Sequence, residues 1–155
     1  MNSKEKDRIE HIGRTVILSA IEVHRGLGPG LLESAYQACL SVELRRAGLL
    51  VETEVNLPIA YRGHRIEVGY RMDMVIEEAV VIENKAVELL LPIHTAQILT
   101  YLELSGIWLG YLLNWNVKLM KRGIHRFVSG LAVVGALGPE FLRTRKCMKG
   151  RWRRI

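Results

Sequence analysis

"VIENKAV", residues 81–87, decides how the chain is to be read. Val81, Ile82, Ala86 and Val87 suit a buried strand, yet Glu83 and Lys85 interrupt them with opposite charges. Positions two apart on an extended strand point to the same face, so a carboxylate and an ammonium stand side by side there. The segments before it have the same character. "VETEVNLPIAY" (51–61) reaches a turn at "RGH", and "RIEVGYRMDMVIE" (65–77) returns from it. With "AVVIENKAV" (79–87), these segments predict three consecutive strands.

Helical spacing surrounds the strands. Ile9, Ile12, Val16, Ile17, Ala20, Ile21 and His24 recur along residues 4–24 as one helix face. "RGLGPG" (25–30) breaks that helix, and "LLESAYQACLSVELRRAG" (31–48) starts another, with two arginines in its last turn as the helix dipole favours. Pro92 opens "PIHTAQILTYLELSG", which Gly106 closes. "IWLGYLLNWN" (107–116) reads as a long strand buried on both faces, "KLMKR" as a turn, and "GIHRFV" (123–128) as a last short strand. The expected order is helix, helix, three strands, helix, strand, strand. That is one mixed-sheet α/β domain, the right size for a chain of 155 residues.

Composition narrows the class of protein. No run approaches the roughly 18 apolar residues of a membrane span, and "MNSKEKDRIEHIG" does not resemble a signal peptide, so a cytoplasmic protein away from membranes is expected. Cys39 and Cys147 are isolated, which argues against a zinc or iron–sulfur site. Of the 22 lysines and arginines, seven lie in "RTRKCMKGRWRRI" (143–155), leaving the rest of the chain near neutral. Residues 1–135 are expected to form the domain and 136–155 a basic tail. Such a tail can contact phosphates by counterion release, with Trp152 able to stack on a base, or can simply be a solubilising terminus. The apolar run 107–115 and the Val/Ala/Leu segment 128–138 are candidate surfaces for homo-oligomer formation.

Asp73, Glu83 and Lys85 carry the chemistry. A Glu–Lys pair on a strand, taken alone, reads as a solvated face or an edge ion pair worth under about 1 kcal/mol. Two carboxylates on neighbouring strands with a lysine beside them supply what phosphodiester hydrolysis requires. Carboxylate oxygens hold Mg²⁺, the ion acidifies a bound water, and the ammonium steadies charge on the phosphate. A cation would also relieve the cost of burying the two acids together. By contrast, "GLGPG" follows a helix rather than a strand, and Pro29 lacks a donor, so it reads as a turn and not a phosphate loop. His24 reads as a satisfied core or boundary histidine, and His94 lies near enough to the third helix's start to approach a phosphate. No serine, cysteine or histidine arrangement supports nucleophilic catalysis.

Asp73 followed by Glu83-Asn84-Lys85 resembles the PD-(D/E)XK nuclease signature. Gln97 and Tyr101 in "AQILTYL", four apart on one helix face, resemble the QxxxY motif of its RecB-like branch. Gly30, Glu33 and Tyr36 in "GPGLLESAY" resemble the motif that names the GxxExxY family, and the likeness extends over roughly residues 8–130. The resemblance implies a restriction-endonuclease-like αβββαβ core in which Glu33 faces the strand carboxylates. It implies metal held by Glu33, Asp73 and Glu83, with Mg²⁺ the expected ion and Mn²⁺ its substitute. Lys85 would position the attacking water, and Gln97 and Tyr101 would orient Lys85 or the nucleic-acid backbone. DNA is the expected substrate. The rival expectation is a non-catalytic nucleic-acid-binding or assembly module on the same fold.

Overall fold

The structure is a computed structural model that describes residues 1–129. The expected tail 136–155 and most of segment 128–138 lie outside the described residues. Helix α1 (Ser3–Leu27) and helix α2 (Glu33–Arg46) precede strands β1 (Val51–Tyr61), β2 (His64–Ile76) and β3 (Val80–Lys85). Helix α3 (Pro92–Ser105), strand β4 (Leu109–Asn114), a one-turn helix α4 (Met120–Gly123) and strand β5 (Ile124–Val128) follow. From α2 to β4 this is the αβββαβ order.

The strands form one five-stranded sheet in chain order. β1, β2 and β3 pair antiparallel, α3 crosses over to make β4 parallel to β3, and β5 returns antiparallel. Helices cover both faces. Ile9, Ile12, Val16, Ala20 and Val23 of α1 and Tyr36, Leu40 and Leu44 of α2 pack on Ile76, Val80, Ile82, Leu109, Tyr111 and Leu113. Ile98, Tyr101 and Leu102 of α3 pack on Val75, Val81 and Leu112 of the other face. β3 and β4 lie between the two layers and are buried almost throughout, which explains their nearly unbroken apolar sequence.

The long β1–β2 hairpin closes at Arg62 and Gly63, both with positive φ (48° and 78°), as a two-residue turn matched to strand twist requires. Midway along it both strands change faces. Val51 and Met74 belong to the α1/α2 core, whereas Val55 and Met72 belong to the α3 core. Pairing is kept across the switch, from Thr53 opposite Met74 to Val55 opposite Met72. Between those pairs lie Glu54, with φ of 54°, and Asp73. A positive φ on a non-glycine residue inside a strand is strained, and such strain gathers at functional sites.

Three expectations are adjusted. The strand expected over 107–116 is shorter at both ends: β4 spans Leu109–Asn114, with the Trp115 N–H still bonded to the Lys85 carbonyl just beyond it. "KLMKR" contains a full helical turn at Met120–Gly123. The run 107–115 is not an association surface: its residues are buried inside the chain, apart from the half-buried Trp108. Among the described residues no helix is long and apolar enough to cross a membrane.

Candidate active site

Asp73, Glu83 and Lys85 come together at the end of β3. The β2–β3 register pairs Met74 with Ile82, and one step further it brings Asp73 opposite Glu83. Asp73 Oδ2 accepts the Asn84 backbone N–H at 2.7 Å. Glu83 lies two residues beyond Val81 and so on the α3 face; it is 1 % exposed. Lys85 Nζ donates to Glu83 Oε1 at 2.5 Å and to the Asn84 carbonyl at 3.2 Å. The other carboxylate oxygen, Glu83 Oε2, is buried with no hydrogen-bond partner among the described residues.

That orphaned oxygen has an electrostatic counterpart. Burial, with the charge of Asp73 adding to it and Lys85 only partly opposing them, raises the Glu83 carboxyl to about 7. Burial also raises Asp73, against the Asn84 N–H and Lys85, with Glu33 and Glu54 adding repulsion. A buried and a half-buried acid, with one ammonium bonded to Glu83, lack positive charge.

Glu33 is the first residue of α2 and half-buried. Its charge acts on both strand acids, yet among the described residues no three acid, histidine or cysteine side chains gather tightly enough to hold a metal ion. Asp73 and Glu83 stand on neighbouring strands, and Glu33 adds its charge from the start of α2. Its position is fixed by Tyr36, one turn along α2. The Tyr36 hydroxyl donates to the Gly28 carbonyl (2.5 Å) and accepts the Leu31 N–H (3.1 Å), pinning the "GLGPG" loop across the helix start. Gly30, at φ of 104°, gives that loop a turn open to few other residues.

Gln97 and Tyr101 share one face of α3, as expected. Gln97 Nε2 donates to the Tyr101 hydroxyl at 2.6 Å, and that hydroxyl donates to the Arg71 carbonyl at 3.1 Å. The pair thus grips β2 two residues before Asp73. Tyr101 is buried in the core, and burial, with the charges of Glu83 and Asp73 adding to it, raises its hydroxyl to about 12. His94 Nδ1 accepts the Leu91 N–H at the start of α3, and His24 Nε2 bonds the Val117 carbonyl at 2.8 Å; both serve structure.

Sequence reasoning missed three residues. Asn84, the middle letter of the Glu-Asn-Lys triplet, is fully buried. Its Oδ1 accepts the Trp115 indole N–H (2.9 Å), and its Nδ2 faces Gln37 Oε1 at 3.5 Å. Trp115 in turn stacks on Tyr36, with ring centroids 4.7 Å apart and planes 2° from parallel. Glu54, which sits at the strained position between Asp73's neighbours, pairs with Arg71 at 2.7 Å and accepts from Gln37 at 2.8 Å. Periodicity gives no sign of these links, because each joins residues far apart along the chain.

Comparison with known proteins agrees with this geometry. The family model described as "PD-(D/E)XK nuclease superfamily" matches residues 10–127. No curated protein and no solved structure gives a significant match. The matched range runs from α1 into β5 and includes every residue of the acid–lysine cluster and its supports. By that match, over a sheet that carries Asp73, Glu83 and Lys85 at one strand end, the chain belongs to the PD-(D/E)XK nuclease superfamily.

Proposed function

We propose that the protein is a divalent-metal-dependent nuclease that hydrolyses phosphodiester bonds in DNA, of the GxxExxY type within the RecB-like branch. The observation that carries the reading is the unpartnered, buried Glu83 Oε2 beside a second acid and a lysine. A structural ion pair would satisfy its oxygens; this arrangement leaves one open and the local charge negative. It fits a hard cation. Asp73 and Glu83 would hold the ion, with Glu33 reaching it directly or through water, and Mg²⁺ or Mn²⁺ suits oxygen donors. When bound, the ion supplies an acidified water and neutralises charge on the phosphate oxygens.

The chain's own residues do the rest. Asn84 fixes the direction of Asp73 through its backbone N–H. Lys85, on the same face as Glu83, orients the attacking water and stabilises the negative charge growing on phosphorus oxygens. Gln97 and Tyr101 act through the Arg71 carbonyl, holding the β2 end against α3, rather than by touching Lys85. We assign the same cytoplasmic setting, and a catalytic domain ending near residue 135 with a basic appendage after it.

Cleavage of single- and double-stranded DNA, and of RNA, with Mg²⁺ or Mn²⁺ tests the proposal. Wild type should cut DNA only with metal, and Lys85→Ala should lower the rate by about 10²–10³-fold while leaving DNA binding in place. Binding without cleavage under either ion would favour the non-catalytic module instead. Cleavage that survives Lys85→Ala would place the chemistry elsewhere.

A further inference from the structure

A cleft of about 580 Å³ opens between the C-terminal end of α1, the Gly28–Gly30 loop and the turn from β4 into α4. His24, Arg25, Gly28, Pro29, Lys118 and Lys121 are among its lining, and no acid is. Lys118 and Lys121 are exposed and make no ion pair among the described residues, whereas Arg25 is partly neutralised by Glu22 at 2.5 Å. Two other hollows, on the α1/α2 surface, include Glu22 and Glu43. The charge of the first cleft suits an anion.

It is also joined to the acid–lysine cluster. Its loop is pinned by Tyr36, whose ring lies on Trp115. Trp115 bonds Asn84 through its indole and the Lys85 carbonyl through its backbone N–H at 2.8 Å. Lys118 follows Trp115 by three residues. A chain of contacts thus links the wall of the cleft to Asn84 and the Lys85 backbone.

We propose that this cleft is a phosphate-backbone groove which holds the nucleic-acid strand adjoining the Asp73–Glu83–Lys85 site. The inference rests on the nuclease reading and adds where the substrate lies. A nucleic-acid strand fits better than a small phosphate ligand. The cations are spread over α1 and the β4–α4 turn rather than focused on one point, and Pro29 deprives the loop of a donor that a compact phosphate nest would use.

The test is anisotropy of labelled single- and double-stranded oligonucleotides, titrated with the full-length chain without metal across a salt series. Lys118→Gln/Lys121→Gln should weaken duplex binding several-fold and flatten the slope of log K against log salt by about 2. Lys118→Arg/Lys121→Arg should restore the slope, and Lys4→Gln at the far end of α1 should leave it alone. An unchanged slope in the double glutamine variant overturns the groove, even if the protein cuts DNA. A flattened slope in a protein that never cuts upholds the groove and removes the nuclease reading. Full displacement of the oligonucleotide by an equal phosphate concentration of inorganic phosphate or a dinucleotide would overturn the backbone assignment in favour of a small-anion site. No binding of any oligonucleotide overturns the groove and leaves the nuclease reading to the cleavage assay with metal.

Discussion

A carboxyl group whose pKa stands near 7 rather than 4.5 is folded most easily with its proton on, and Glu83 is such a group. Between those pH values the folded chain keeps a proton that the unfolded chain has released. Metal-free stability therefore falls as pH rises through the window, and levels off above about 7. The shift corresponds to a loss on the order of 3 kcal/mol; Asp73, raised for the same leading reason, adds to it. Urea denaturation of metal-free protein between pH 4.5 and 8 should show this decline, and Glu83→Gln should remove most of it while abolishing cleavage. Identical pH profiles for variant and wild type would mean that the carboxylate is not under strain. Glu83 and Lys85 were legible in the sequence because alternation along a strand fixes their shared face. Asn84 and Glu54 were not. The first depends on partners 31 and 47 residues away, and the second on a backbone kink at φ 54° that a Thr-Glu-Val triplet does not announce.

Helix α2 is connected to the site by aromatic and polar contacts that can be removed singly. Tyr36→Phe keeps the stack on Trp115 but gives up the hydroxyl's bonds to Gly28 and Leu31. It should cost about 1–2 kcal/mol in thermal or urea denaturation and lower kcat through a loosened Glu33. Trp115→Phe also keeps a ring there but leaves Asn84 Oδ1 without its donor in a fully buried place. A buried orphan acceptor costs about 1–3 kcal/mol, and the disturbed Asn84 should carry Asp73 with it. Both variants should lower kcat more than they raise KM. A pure KM effect would place the pair in substrate binding instead. The order of elements was readable from periodicity, Pro92 and Gly106, since helix and strand periods differ so clearly here. The extents of β4 and α4 were not, because β4 ends where its pairing with β3 ends, and the partners of Trp115, Lys85 and Asn84, are brought near only by the assembled sheet.

Across the whole molecule, the crossover through α3 aligns β3 with β4, so the end of β3 that carries Glu83 and Lys85 lies beside the end of β4, with the start of α2 above them. The antiparallel hairpin delivers Asp73 to the same place from the other side. β2, β3, β4 and the start of α2 therefore converge on an acidic cluster that weakens the fold until a cation fills it, which couples metal binding to global stability. At pH 8, Mn²⁺ at a hundred times its dissociation constant should stabilise the wild-type chain by about 2.7 kcal/mol in thermal denaturation. The gain should shrink as pH falls below about 7, because the proton that Glu83 takes up competes with the ion. Asp73→Asn and Glu83→Gln should each lose most of it, whereas Lys118→Gln, which removes no carboxylate, should keep it. Equal stabilisation of wild type and both acid variants would show that the ion binds elsewhere, and the metal-dependent reading of this cluster would fall with it.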